Sequence, residues 1–149
     1  MKRVAILMGS ASDGEVMAAA SEWLDRLGIP NEVHVMSAHR SPERVGTFAA
    51  GARDAGFGVI ICGAGKAAHL AGAVAARTSL PVIGVPISAG GLGGLDALLA
   101  TVQMPTGVPV ATVAVNGSTN AALLAAQMLA VEDADLAKAL DAHKAEMAG

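Results

Sequence analysis

Apolar positions along this chain follow two alternating rhythms, one of short unbroken runs and one of helical faces. Val4–Met8 is a continuous apolar run of the kind that forms a strand buried on both sides. Glu15–Leu27 then places Val16, Ala20, Trp23, Leu24 and Leu27 on one helical face, and Gly28 closes it. Asn31–Met36 reads as a second strand, with Val33 and Val35 on one side and Glu32 and His34 on the other. Pro42–Ala55 is a helix entered through Ser41 as cap and Pro42 at its first position, and stopped by Gly56. Gly58–Cys62 is a third strand, Lys66–Arg77 a helix, and Pro81–Val85 a fourth strand. Gly90–Gly94 is too rich in glycine to read as helix and leaves the turn into a helix at Leu95–Thr101 open. Val108–Val115 is a fifth strand, Asn120–Val131 a helix apolar almost all round, and Asp133–Met147 a closing helix with Leu136, Leu140 and Met147 on one side. Strands alternating with helices predict an α/β chain: a parallel, doubly wound sheet in a three-layer αβα sandwich, forming one domain over residues 1–149.

Composition refines this picture. Hydrophobic residues make up 53% of the chain and aromatics only 2%, so the core is built from Ala, Val, Leu, Ile and Met. A net charge of -3 with no run of Lys or Arg argues against a nucleic-acid partner. The single cysteine, Cys62, excludes an internal disulfide and fits a reducing, cytoplasmic setting. The apolar run near the start is too short for a signal peptide. The uncharged stretch Ala97–Val115 is broken by Pro105, Gly107 and Pro109, which excludes a transmembrane helix there. Asn120–Val131 has Gln127 as its only polar residue after the first, and a helix apolar on every side needs cover on every side. With a mean hydropathy of +0.52, this predicts a homo-oligomer.

In a doubly wound sheet, ligands sit at the carboxyl ends of the strands. Three turns of this chain fall there and carry anion-binding chemistry. Gly9-Ser10-Ala11-Ser12-Asp13-Gly14 follows the first strand, with small residues that admit an anion to backbone N–H groups and hydroxyls that add donors. Asp13 either caps the next helix or accepts from a ribose hydroxyl. Ser37-Ala38-His39-Arg40 follows the second strand. Arg40 offers a fixed fork to phosphate or carboxylate, Ser37 a neutral hydrogen bond, and His39 a proton exchanged near neutral pH. Gly63-Ala64-Gly65-Lys66-Ala67-Ala68-His69-Leu70 follows the third, though its Gly-Lys pair lacks Walker spacing. One such turn is weak evidence; three on one edge predict a shared anion site beside a histidine. His34 and His143 read as surface residues, Cys62 as core filler, and no His, Cys, Asp or Glu residues stand at metal-ligand spacing.

The segments MGSASD (8–13), SAHRSP (37–42), GAGKAAHLAG (63–72), PVIGVP (81–86), VQMPTGVPVATVAV (102–115) and NAALLAAQ (120–127) together resemble the class I N5-carboxyaminoimidazole ribonucleotide mutases of purine synthesis, in register along nearly the whole chain. The resemblance implies a flavodoxin-like fold, an octamer, no metal or organic cofactor, and a small ribonucleotide as substrate. It implies that a carboxylate moves from the exocyclic nitrogen of an aminoimidazole to its ring carbon. At matching positions it implies that Ser10, Ser12 and Asp13 hold phosphate and ribose, with Ser37, Ala38 and Arg40 completing that end. His39 would be the proton shuttle. Ala64, Gly65, Lys66, His69 and Leu70 would line the imidazole and its carboxylate.

Three departures accompany the resemblance. Lys66 stands where the family usually has glycine, Ala71 where it has proline, and Ala97 where it has a serine; the C-terminal tail is also shorter than in many relatives. The nearest rival is the class II enzyme, which carboxylates aminoimidazole ribonucleotide directly and carries Ser-Asn where this chain has Ala-Ala-His. A phosphoacceptor domain would need acids at the ends of strands one and three, and here only Asp13 is present. A flavin carrier would need aromatics in the loops, whereas Trp23, Phe48 and Phe57 fall elsewhere.

Overall fold

The computed structural model describes residues 1–149. Strands β1 (Arg3–Met8), β2 (Asn31–Val35), β3 (Phe57–Gly65), β4 (Val82–Ile87) and β5 (Ala111–Thr112) form one sheet in the order β2-β1-β3-β4-β5, every pair parallel. Helices α1 (Gly14–Arg26), α2 (Pro42–Gly51), α3 (Leu70–Ala75), α4 (Leu95–Val102), α5 (Ser118–Ala130) and α6 (Ala134–Ala148) connect and cover it. This is the flavodoxin-like arrangement, whose strand order reverses between β1 and β3 and opens a crevice at that point.

Period-two alternation within the central strands divides the core between the two faces. Val4, Ile6, Met8, Val59, Ile61, Ile83 and Val85 face α1, α5 and α6, meeting Met17, Ala20, Leu24, the alanines of α5, Leu136 and Leu140. Ala5, Leu7, Ile60, Cys62 and Val82 face α2 and α3, meeting Val45, Ala49, Leu70, Ala71 and Val74. α4 shares this second face: a side chain on Gly84 would lie 2.3 Å from Thr101 and 3.4 Å from Ala71. The Ser118 hydroxyl donates to the Val16 carbonyl at 2.5 Å and ties the start of α5 to α1.

Register positions the site. Met8 pairs with Val35 on one side and with Gly63 on the other, so β1 and β2 end level while β3 runs two residues further, to Gly65. A Cβ on Gly63 would lie 2.4 Å from the Met17 sulfur, so glycine there lets α1 close over the strand without displacing that side chain.

Several local expectations are corrected. The segment 66–69 is not helical: β3 stays extended to Gly65, paired with Ile87, and α3 begins only at Leu70. The fifth strand shrinks to two paired residues, because Pro109 lacks an N–H and β5 lies at an edge. Val33 and Val35 on the opposite edge are 49% and 42% exposed, the reverse of an inward apolar face. His34 instead packs against Phe48, at 5.0 Å between ring centroids, and bonds Glu32. His143 is not on a solvated face but meets Trp23 edge-on at 4.9 Å.

Candidate active site

The first turn is rigid because its own side chains satisfy its backbone. Ser10 Oγ accepts from the Ser12 N–H at 3.3 Å and lies 3.0 Å from the Ser12 hydroxyl, while the Asp13 carboxylate accepts from the Ser10 N–H at 3.2 Å. This reciprocal pair is a capping box on a one-turn 3-10 helix, Ala11–Asp13, that leads into α1. Asp13 therefore caps that short turn and makes no cap bond to α1. Burial raises its carboxyl above the usual value, and the bond from Ser10 opposes the rise.

In the second turn the Ser41 N–H donates to the Ser37 carbonyl at 2.8 Å, and the Arg40 N–H to Ser37 Oγ at 3.1 Å. The Arg40 guanidinium reaches back over the first turn, donating from Nη2 to the Gly9 carbonyl at 3.0 Å. Arg40 lines the same cleft as Ser10, Ser12 and Asp13, a combination of guanidinium and hydroxyls suited to a phosphate. Two turns distant in sequence thus form one cationic, hydroxyl-rich cradle.

The third turn supplies the partner of the histidine. His39 Nε2 lies 2.8 Å from His69 Nδ1, with the rings nearly perpendicular at 84°. Such a contact requires an N–H on one ring and a lone pair on the other. The two histidines leave turns after β2 and β3, so the contact bridges the turn that follows β1. His69 itself sits just before α3, in a tight turn with Ala68 and His69 N–H groups donating to Lys66 and Ala67 carbonyls at 2.8 and 2.9 Å. Lys66 adopts a left-handed backbone, φ 52°, which accounts for the break between β3 and α3.

All these groups line one cleft of about 370 Å³. It gathers every residue singled out from the sequence: Ser10, Ser12 and Asp13 from the first turn, Ser37, Ala38, His39 and Arg40 from the second, and Ala64, Gly65, Lys66, His69 and Leu70 from the third. Gly9, Ala67 and Ala89 complete the lining. Ala89 belongs to a fourth turn, after β4, held by the Asn116 side chain accepting from the Ser88 N–H at 2.9 Å. The signal for it was present in PVIGVP running into Ser88-Ala89-Gly90, one more strand end beside the other three. Cys62 lies buried beneath, and burial pushes its thiol far up, which leaves it unreactive. No three His, Cys, Asp or Glu side chains converge to hold a metal ion.

Known proteins resemble this chain along nearly its whole length. Residues 3–149 match the family model described as AIR carboxylase. The N5-carboxyaminoimidazole ribonucleotide mutase of Bacillus subtilis is 53% identical over 95% of this chain and 88% of its own length. The mutase of Aquifex aeolicus is 53% identical over 93% of this chain and 83% of its own. A chloroplastic phosphoribosylaminoimidazole carboxylase from Vigna aconitifolia is 56% identical, but the chain spans only 23% of that protein's length. Among solved structures, PurE of Treponema denticola superposes with a TM-score of 0.87 at 28% identity, covering 97% of this chain and 90% of that one. With the match running from Arg3 to the last residue, the chain belongs to the AIR carboxylase family.

Proposed function

We propose that this chain is an N5-carboxyaminoimidazole ribonucleotide mutase, converting its substrate to 4-carboxy-5-aminoimidazole ribonucleotide in purine biosynthesis, with His39 as the proton shuttle. The observation that carries the reading is the His39–His69 contact at 2.8 Å in the same cleft as Arg40 and the Ser10–Asp13 turn. Protonated His39 gives its proton to the exocyclic nitrogen as the N–carboxylate bond breaks and carbon dioxide leaves. The electron-rich ring carbon then attacks the retained carbon dioxide, forming the new C–C bond. His39, now neutral, removes the proton from that carbon and restores the aromatic ring, so the proton count closes on one group. Ser10, Ser12, Asp13, Ser37 and Arg40 hold the ribose phosphate, while the turn from Ala64 to Leu70 packs over the imidazole and keeps water out. The enzyme acts without a cofactor, in the cytoplasm, as a homo-octamer.

Proton transfer by a placed side chain contributes about 10²–10⁴-fold. His39→Asn is expected to lose turnover on at least that scale, while titration with the product nucleotide still shows binding. Near-normal turnover in that variant refutes the assignment. The name carried by the plant relative favours a second reading, direct carboxylation of aminoimidazole ribonucleotide. Assays with each nucleotide, with and without bicarbonate, separate the two: the mutase turns over the carbamate with no bicarbonate dependence, whereas a carboxylase requires it.

A further inference from the structure

Lys66 stands out from every other residue of the cleft. Nine residues of the chain have positive φ, and seven of them are glycines. Of the other two, Asn116 is of a type that tolerates this region and its side chain is bonded to Ser88. Lys66, at φ 52°, is the exception: a long side chain placed where a residue without Cβ would sit free of strain. Its ammonium has no partner either. Both ion pairs in the chain use Glu32, far from the cleft, and no hydrogen bond involves the Lys66 side chain. Yet the residue lines the cleft, and its stem crosses to the fourth turn, where a side chain on Gly90 would lie 3.2 Å from Cε.

Topology sets its position relative to the other cation. Arg40 leaves the sheet after β2 and Lys66 after β3, with β1 between them. Two strand spacings of about 4.8 Å put roughly 10 Å between their points of origin. Arg40 is already turned onto the first turn, the phosphate cradle, through its bond to Gly9. The two cations therefore enter the cleft from turns two strands apart, Arg40 bonded to Gly9 in the first turn and the Lys66 stem lying beside Gly90 in the fourth. A ligand with one anionic end would use only Arg40. A ligand with two, separated by the group on which His39 acts, would use both.

We infer that Lys66 is a specificity-determining contact for the carboxylate of the ligand, selecting the carboxylated ribonucleotide over the uncarboxylated one. The inference rests on the mutase reading for the identity of that second anion. A cation at this point also holds the carboxylated nucleotide against the fourth turn, where Ala89 closes the cleft. Strained backbone retained beside a ligand site fits a residue kept for its contact rather than for folding.

Calorimetric titration with 4-carboxy-5-aminoimidazole ribonucleotide and with 5-aminoimidazole ribonucleotide tests this without turnover. Lys66→Met keeps the stem and removes the charge. It is expected to weaken the carboxylated nucleotide about five-fold relative to the uncarboxylated one, the scale of a partly solvated ion pair, with the difference shrinking in high salt. Lys66→Gly should lose the same discrimination while melting at or above the wild-type temperature, since glycine accepts this φ without strain. Equal weakening of both nucleotides, or no change in either, overturns the carboxylate contact. If the wild type binds both nucleotides, shows the discrimination and turns neither over, the mutase reading falls and the contact stands. A wild type that binds neither nucleotide sinks both.

Discussion

Asp13 shows how a site residue works against the fold that holds it. Its carboxyl is raised above the usual 3.8 because burial disfavours the charged form. Below that pH the group is protonated in both folded and unfolded chains and costs nothing. As pH rises through the ordinary carboxylate range the unfolded chain ionises first, so stability falls until the folded carboxyl ionises too, and it stays lower at neutral pH. Asp13→Asn keeps an acceptor for the Ser10 N–H and removes the penalty. Thermal melts should show the variant gaining on the wild type between about pH 3.5 and pH 7, while ribonucleotide affinity falls; no pH-dependent gain contradicts the account. At this scale the chemistry was legible early, since hydroxyls, a guanidinium and an imidazole at strand ends announce themselves by type. What could not be read was the left-handed backbone of Lys66, because the apolar periodicity of the residues after it extends smoothly backwards into a helix that the chain does not form.

Among the elements, the closest approach is made through Gly84, at the centre of β4. Thr101 from α4 sits over it with its hydroxyl bonded to the Ala97 carbonyl at 2.7 Å, so its methyl group is free to fill the space a side chain would take. Gly84→Val forces α4 outward and should cost about 1–3 kcal/mol, with the loss visible as a lower denaturant midpoint. An unchanged midpoint would show that α4 is not packed there. The strands with continuous apolar runs were legible because both faces are covered, and β1, β3 and β4 lie where those runs predicted. The edges were not: β2 alternates cleanly in sequence, yet its valines face outward. An edge strand is judged by what lies beyond it, which a single chain does not encode in its own alternation.

For the molecule as a whole, apolar surface remains to be covered. Leu123 and Leu124 of α5, with Leu140 and Met147 of α6 and Val113 beside β5, line a groove of about 370 Å³, and Val33 and Val35 lie open at the other edge. α5 buries its alanines against the sheet and leaves its leucines half covered. No helix is long and apolar enough to cross a membrane. A neighbouring subunit is the cover this pattern calls for. Light scattering at micromolar concentration should give a multiple of 14.7 kDa, and a monomer would refute it.

β1 and β2 end level at Met8 and Val35, and β3 passes them by two residues. Most residues lining the cleft lie in short segments beyond the strand ends, at 9–13, 37–40, 66–69 and 89, while the end of β3 adds Ala64 and Gly65 and the start of α3 adds Leu70. Framework and chemistry thus overlap only at Ala64, Gly65 and Leu70, which serve both. An engineer could redraft the exposed positions of those segments to accept a differently charged heterocycle, provided Ala68 and Leu70, which are buried, keep their places.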